Sequence, residues 1–392
     1  MIKRKFKQTE IGKIPEDWEV KELKDVASYI SNKVNINEFN LTNFISTENM
    51  LPNLGGINEA SSLPKTGKFN KFNVKDILFS NIRTYFKKLW LAKFNGACSN
   101  DVLVIRPKNS SIETSFLYYY LSQERFFEYT MLTSKGTKMP RGDKQAILNW
   151  AINIPPLSEQ HSIARILSSL DAKIELNNKM NKTLEAIGQA LFKRWFVDFD
   201  EVPGGWYTKP LDKVAEFLNG LALQKYPAME GEEYLPAIKI RELRSGITEQ
   251  TDKVSLNLPK GYIVEDGDML FSWSGSLEVV IWTNGKGALN QHLFKVSSQD
   301  YPKWFYYYWT KYHLPHFRHI AEGKATTMGH IQKHNLSEAE VLVPDKKTFD
   351  EMNKIMNPIL NKVVALRLEA NNLAKIRDSL LPKLMSGDIR TI

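Results

Sequence analysis

The densest grouping of potential ligands in this sequence is His313, His316 and His319, three apart, with His330 and His334 following at i, i+4. Imidazoles at such spacing can share one helix face and hold a divalent metal. Pro315 interrupts the segment, however, and no well-placed carboxylate joins it. Surface or phosphate-contacting histidines are therefore expected rather than a metal centre. Pro344-Asp345 is similar to the opening of a metal-dependent nuclease motif, but no convincing acidic-x-Lys element follows. There is no G-x-x-x-x-G-K-[ST] phosphate loop, no H-E-x-x-H, no G-x-S-x-G and no dinucleotide fingerprint. The Asn/Asp-Pro-Pro-aromatic tetrapeptide of amino-methyltransferases is missing too, since Pro155-Pro156 lies between Ile154 and Leu157. No catalytic residue is expected.

Basic clusters are more informative. The segment Asn81–Lys88 (NIRTYFKK) sets Arg83, Lys87 and Lys88 around Tyr85, and the loop Thr133–Lys144 supplies Lys135, Lys138, Arg141 and Lys144. A matching stretch 189 positions later carries Lys324, Thr326, His330 and Lys333, and Lys239–Arg244 adds Arg241 and Arg244. Lysine and arginine on phosphates supply affinity for nucleic acid, while side chains at base edges supply specificity. The plainer reading is that these are solvated loop charges. A net charge of +9 and a pI near 9.2 favour a polyanionic partner. The aromatic runs Tyr118–Tyr120 and Tyr306–Tyr308 are expected in the core rather than stacked on bases.

The 392 residues suffice for two or three domains, and 42% hydrophobic content excludes a disordered chain. A lone cysteine, Cys98, rules out an internal disulfide and a multi-cysteine zinc site, which fits a cytoplasmic protein. No uninterrupted apolar run is long enough for a membrane span, and basic Met1–Lys7 lacks the apolar stretch of a signal peptide.

What must position these residues is written twice. Leu167, Leu170, Ile174, Leu184, Ile187 and Leu191 return 189 positions later as Met356, Ile359, Val363, Leu373, Ile376 and Leu380. Phe116–Tyr120 returns as Phe305–Trp309, and Pro15-x-x-Trp18 as Pro203-x-x-Trp206. Such repetition decides the architecture. Apolar positions three and four apart after Pro156 predict a helix to about Phe196, with Ser158 as N-cap and roughly 57 Å of length. A second should run from about Lys346 to Leu384, ending at Ser386-Gly387, with Pro358 marking a kink or a late start. Neither stripe can be buried alone, so an antiparallel pair holding two globular heads apart is expected. Asn177 interrupts the first stripe where Leu366 stands in the second, either fixing register or lying solvated at a frayed contact. The heads read as mixed α/β, with strands at Val74–Ser80 and Asp101–Ile105 and a helix at Ser115–Tyr129. The class is α+β, with heads at residues 1–156 and 200–344 and helical segments at 157–199 and 345–392.

The residues around both helices resemble the specificity subunit of type I restriction-modification enzymes. Pro155-Pro156-Leu157-Ser158-Glu159-Gln160 looks like that family's helix entrance, and Leu191–Phe199 (LFKRWFVDF) its first helix exit. Ile376–Ile389 (IRDSLLPKLMSGDI) is similar to its closing signature, and Thr9–Trp18 to its opening. The resemblance implies two target-recognition domains, each reading half of an asymmetric bipartite DNA site, with the helices as a ruler for the gap. It implies two modification subunits carrying S-adenosylmethionine on the helical region, and restriction subunits using ATP and Mg²⁺. It assigns no cofactor and no catalysis to this chain itself. The second helix entrance, Val343–Phe349 (VPDKKTF), lacks the Pro-Pro-Leu-x-Glu-Gln form, so the two docking surfaces need not be equal. Two readings from other classes remain at this point: a nuclease or methyltransferase with cryptic motifs, and a helical protein-interaction scaffold.

Overall fold

A computed structural model of the chain describes residues 5–198, 201–323 and 329–391. The chain divides into two units, residues 1–172 with 374–392, and residues 173–373. Two long helices, Leu157–Phe196 and Lys346–Ser386, each contribute to both units.

In the first unit an antiparallel sheet runs in the order Ala27–Ile30, Val102–Pro107, Ile77–Ser80, Leu89–Leu91. In the second unit the same order is Glu216–Asn219, Leu293–Ser297, Met269–Ser272, Val279–Ile281. A second sheet centres on Gly96–Cys98, between a parallel Phe44–Ile45 and an antiparallel Lys68–Phe72. Its counterpart Gly287–Leu289 likewise lies between a parallel Tyr234–Ile238 and an antiparallel Ile263–Val264. Only the outer edge strand differs. Lys33–Asn35 adds to the antiparallel neighbour in the first unit, and Lys253–Ser255 to the parallel neighbour in the second. The repeat seen in the sequence is thus a repeat of topology.

Two expected boundaries shift. The aromatic segment forms two helices, Thr114–Leu121 and Glu124–Leu132, rather than one. The break falls where the Ser122 hydroxyl donates to the Tyr119 carbonyl and the Gln123 amide to that of Tyr120, closing off the first helix. Ser158 is not a cap: the first long helix begins at Leu157, and the Pro156 carbonyl already accepts from the amides of Glu159 and Gln160. As expected, Tyr119, Tyr120 and Tyr306–Tyr308 are buried, while Tyr118 is half-buried against the same core as its two neighbours.

Within each unit the long helices run antiparallel. In the first, Asp171 meets Arg377 at 2.7 Å and Glu159 meets Arg390 at 2.6 Å, so one helix rises as the other descends. Ile163, Ala164 and Leu167 share a core with Leu384 and Met385. In the second, Phe192 and Phe196 share a core with Met352, Met356 and Leu360, and Glu185 pairs with Arg367. Pro358 does not delay the second helix, since Lys346–Ser386 runs through it. The lost amide bond costs roughly 3 kcal/mol, and the buried Met356 and Leu360 on either side supply the packing that offsets it. The helix ends at Gly387, whose φ of +79° is the left-handed turn that glycine allows. Asn177 is not solvated: it is fully buried, as Asn181 nearly is, and neither amide has a hydrogen-bond partner. Among the described residues no helix is long and apolar enough to cross a membrane.

Candidate nucleic-acid interface

In the first unit the central strands Ile77–Ser80 and Val102–Pro107 end together, the Asn81 amide donating to the Asp101 carbonyl. Beyond them the chain 81–88 meets the loop 133–144, more than forty residues away in sequence. Ile82 bridges Arg141, the Arg83 amide donates to the Pro140 carbonyl at 2.8 Å, and the Gly142 amide to that of Asn81. A side chain at Gly142 would stand 2.8 Å from Asn81 Oδ1 and 3.0 Å from Ile147 Cδ1, so a larger residue would have to displace those side chains. Asp143 then caps the helix Lys144–Leu148, accepting from the amides of Gln145 and Ala146. Lys135, 2.5 Å away, followed by those amides, holds its carboxyl below the usual range.

The structure brings the first-unit candidates together but divides them. Arg83, Tyr85, Lys138 and Lys144 are exposed. Lys87 pairs with Glu124, Lys135 with Asp143 and Arg141 with Asp101, while Lys88 donates to the Thr47 carbonyl. Burial lowers the Lys88 ammonium below its ordinary value. Phe86, absent from the sequence argument, is exposed beside Tyr85, their ring centroids 4.6 Å apart.

The chain 81–88 is strained. Arg83 and Lys87, at the two ends of the 3₁₀ turn Thr84–Phe86, have φ of +49° and +52°. Left-handed backbone costs a non-glycine residue roughly 1–2 kcal/mol, so its surroundings must impose it.

The second unit repeats the junction with different chemistry. Ser274 bridges His330, the Gly275 amide donates to the Gly329 carbonyl at 2.8 Å, and the Ile331 amide to Trp273. The Trp273 indole donates to Asn219 Oδ1 at 2.9 Å, and its ring lies 6.0 Å from His292 and 6.2 Å from His330. The Ser274 hydroxyl meets His292 Nδ1 at 2.9 Å. Beside this edge lies a cleft of about 460 Å³ lined by Arg244, Gly275, Glu278, Arg318 and Gly329. Glu278 holds Arg244 at 2.8 Å and Arg318 at 3.7 Å. Arg241 does not join the cleft, because Glu242 and the Gln250 carbonyl engage its guanidinium. Lys333 is exposed at the start of the helix Lys333–Glu338. Lys324 and Thr326 lie outside the described residues. Sequence reasoning missed Arg318, Trp273 and His292; the only signal for Arg318 was a cation within the aromatic–histidine helix.

The histidine series resolves otherwise than as surface groups alone. The helix Lys303–Glu322 passes through Pro315, and His313 is half-buried, bonding the Glu340 carbonyl at 2.8 Å and stacking on Trp309. Burial drives its pKa down. His316 and His319 are exposed, and among the described residues no group of three His, Cys, Asp or Glu could hold a metal ion. Asp345 is a helix cap: it accepts from Thr348 Oγ1 at 2.6 Å and from the amides of Thr348 and Lys347. These bonds, with one from the Trp206 side chain, keep its carboxyl below the usual range.

A family model described as the type I restriction modification DNA specificity domain matches twice, over residues 15–186 and 203–377. The type I restriction enzyme MjaIX specificity subunit of Methanocaldococcus jannaschii is 26% identical over 98% of this chain and 96% of its own length. The HindI specificity subunit of Haemophilus influenzae is 25% identical, over 95% and 100%. In fold, the chain is similar to the crystal structure of a type I restriction-modification S subunit from M. genitalium. That likeness has a TM-score of 0.58 at 16% identity, covering 94% of this chain and 96% of the other.

Proposed function

The chain belongs to the type I restriction modification DNA specificity family, and we propose that it is the non-catalytic DNA-reading subunit of such a system. Each unit reads one half of a bipartite, asymmetric site. Residues 1–156 and 200–344 carry recognition, while 157–199 and 345–392 set the unread gap and dock the partners. Two modification subunits take the two helical faces, and restriction subunits join that assembly. S-adenosylmethionine, ATP and Mg²⁺ belong to those partners, and this chain binds none of them.

The observation that carries the reading is the twofold match together with the duplicated strand-end junction, Ile82 on Arg141 and Ser274 on His330. A duplicated junction with different side chains suits a reader of two different half-sites. Arg83, Tyr85, Lys138 and Lys144 contact DNA first; Lys87, Lys88, Lys135 and Arg141 frame them. In the second half Arg244, His330 and Lys333 take that part, with Lys324, Thr326 and Arg241 as further contacts. Phosphate contacts position such a reader and base contacts specify its site.

The test is methylome sequencing of a host carrying the chain with its modification subunit, against a deletion of this chain alone. Loss of adenine methylation at one split, asymmetric motif is the expected result. An unchanged methylome, with the modification subunit shown to be active, would overturn the reading.

A further inference from the structure

Five non-glycine residues among those described have left-handed φ, and four of them, Asn53, Leu54, Arg83 and Lys87, meet in one corner of the first unit. The Asn53 amide donates to the Phe86 carbonyl at 2.8 Å and the Leu54 amide to that of Lys87 at 3.0 Å. Within the turn, the amide of Phe86 donates to Arg83 and that of Lys87 to Thr84. Buried Thr84 Oγ1 accepts from Thr130 at 2.9 Å, Lys87 pairs with Glu124, and the Arg83 amide is held by Pro140. Backbone strain persists only where the surroundings over-determine it, and it gathers at functional positions.

What this scaffold presents outward is an aromatic pair. Tyr85 is 45% exposed and Phe86 39%, their ring centroids 4.6 Å apart, with the Lys88 ammonium 5.6 Å from the Phe86 ring centroid. Exposed Arg83, Lys138 and Lys144 belong to the two backbone-linked segments around them. The equivalent connection in the second unit spans 273–278, two residues shorter than 81–88, and its one left-handed residue is Gly275. No exposed aromatic pair stands there; Trp273 is tied to Asn219 and Gln291.

We infer that Tyr85 and Phe86 form a rigid aromatic wedge that unstacks one base step of the duplex half-site read by the first unit. The inference rests on the DNA-reading role proposed above. Apolar wedges between base steps kink a duplex and are selective for steps that unstack cheaply. The surrounding cations make duplex DNA the fitting occupant, because phosphates flank every base step. The specificity is indirect, and it falls on one half-site only.

The test uses the complex assembled with modification subunits and a duplex bearing the mapped site. In it 2-aminopurine is placed in turn along each half at every position except the methylated adenines, which a methyltransferase turns out of the stack by itself. Wild type should brighten one step, in the first-unit half alone. Tyr85→Ala/Phe86→Ala should lose that signal and bind the site about tenfold more weakly, with an unchanged melting profile. Tyr85→Trp should keep the signal. A wild-type complex that prefers its site while the double alanine variant matches it in signal and affinity overturns the wedge alone. A wild-type complex with no sequence preference removes the DNA-reading role, and the wedge with it.

Discussion

Arg390 grips Glu159 through two guanidinium nitrogens, at 2.6 and 2.8 Å. Glu159 is almost fully buried and also accepts from the Trp18 indole at 3.0 Å, while the Arg390 guanidinium lies over the Trp18 ring. Removing one partner of a buried pair leaves the other charge desolvated, a loss of about 3 kcal/mol or more. Arg390→Met should therefore destabilise the first unit by about that amount in urea melts, and Arg390→Met/Glu159→Gln should recover part of it. A loss below about 0.5 kcal/mol, the range of an exposed pair, would show that the contact contributes little.

Arg390 also bonds Asp17, and that bond holds the Asp17 carboxyl below its ordinary 3.8. A lowered folded-state value means stability that is complete above 3.8 and is lost as pH falls through the lowered value. Asp17 is half exposed, so solvent screening keeps the contribution under about 1 kcal/mol. The gap between wild type and Asp17→Asn should stay constant from about pH 7 to pH 5 and shrink as the pH falls below the ordinary carboxylate range. A gap that widens on acidification would contradict the assignment.

These contacts explain why some features were legible in the sequence and others were not. The Pro-Pro-Leu-x-Glu-Gln entrance stood out because its last two residues are structural. Glu159 anchors Trp18, and the Gln160 side chain accepts from the Glu113 amide and donates to the Ser111 and Pro155 carbonyls. The second entrance lacks the motif because Asp345 bonds Trp206 there while capping the helix. The long helices and the duplication were legible because burial against a partner leaves a periodic trace. The break at Ser122–Gln123 was not, because the apolar pattern continues across it. In the candidate interface the basic clusters were visible, but their meeting was not. Backbone hydrogen bonds such as Arg83 to Pro140 carry no side-chain signature. Nor do the partners that occupy Lys87, Arg141 and Arg241, namely Glu124, Asp101 and Glu242.

Asn177 and Asn181 bury four side-chain polar atoms without a partner, one helical turn apart. Each unsatisfied amide costs about 1–3 kcal/mol. Asn177→Leu, which matches Leu366 at the equivalent position of the second helix, should raise the second unit's melting temperature by about 2–4 °C per kcal/mol gained. An unchanged or lowered Tm would mean that the amides have partners, such as bound water, in solution.

Gly188 is the one glycine of the first long helix, and a Cβ there would lie 2.1 Å from the Tyr308 hydroxyl oxygen. In an open helix, glycine to alanine gains about 1 kcal/mol. Here Tyr308 is buried and its ring stacks on Phe192, so it cannot swing aside. Gly188→Ala should instead lose about 1–3 kcal/mol, and Tyr308→Phe in the same chain should return part of it. Calorimetry of the wild type and both variants decides the sign.

Glu278 restrains Arg244 and Arg318 across the second-unit cleft, and the Leu277 carbonyl fixes Arg318 further, at 2.9 and 3.1 Å. Two cations held by one carboxylate are oriented but only half neutralised, the condition in which DNA phosphate competes for them. Each phosphate contact contributes about 0.9 to the slope of log K against log salt. In the assembled complex, Arg244→Ala and Arg318→Ala should each lower that slope by about 1 while leaving the preferred motif unchanged. Glu278→Gln should act in the other direction, tightening binding to specific and bulk DNA alike, because it frees both guanidinia. Anisotropy titrations between 50 and 200 mM salt read all three. An altered second half-site in the methylome of the Arg318→Ala strain would instead place that guanidinium on a base edge.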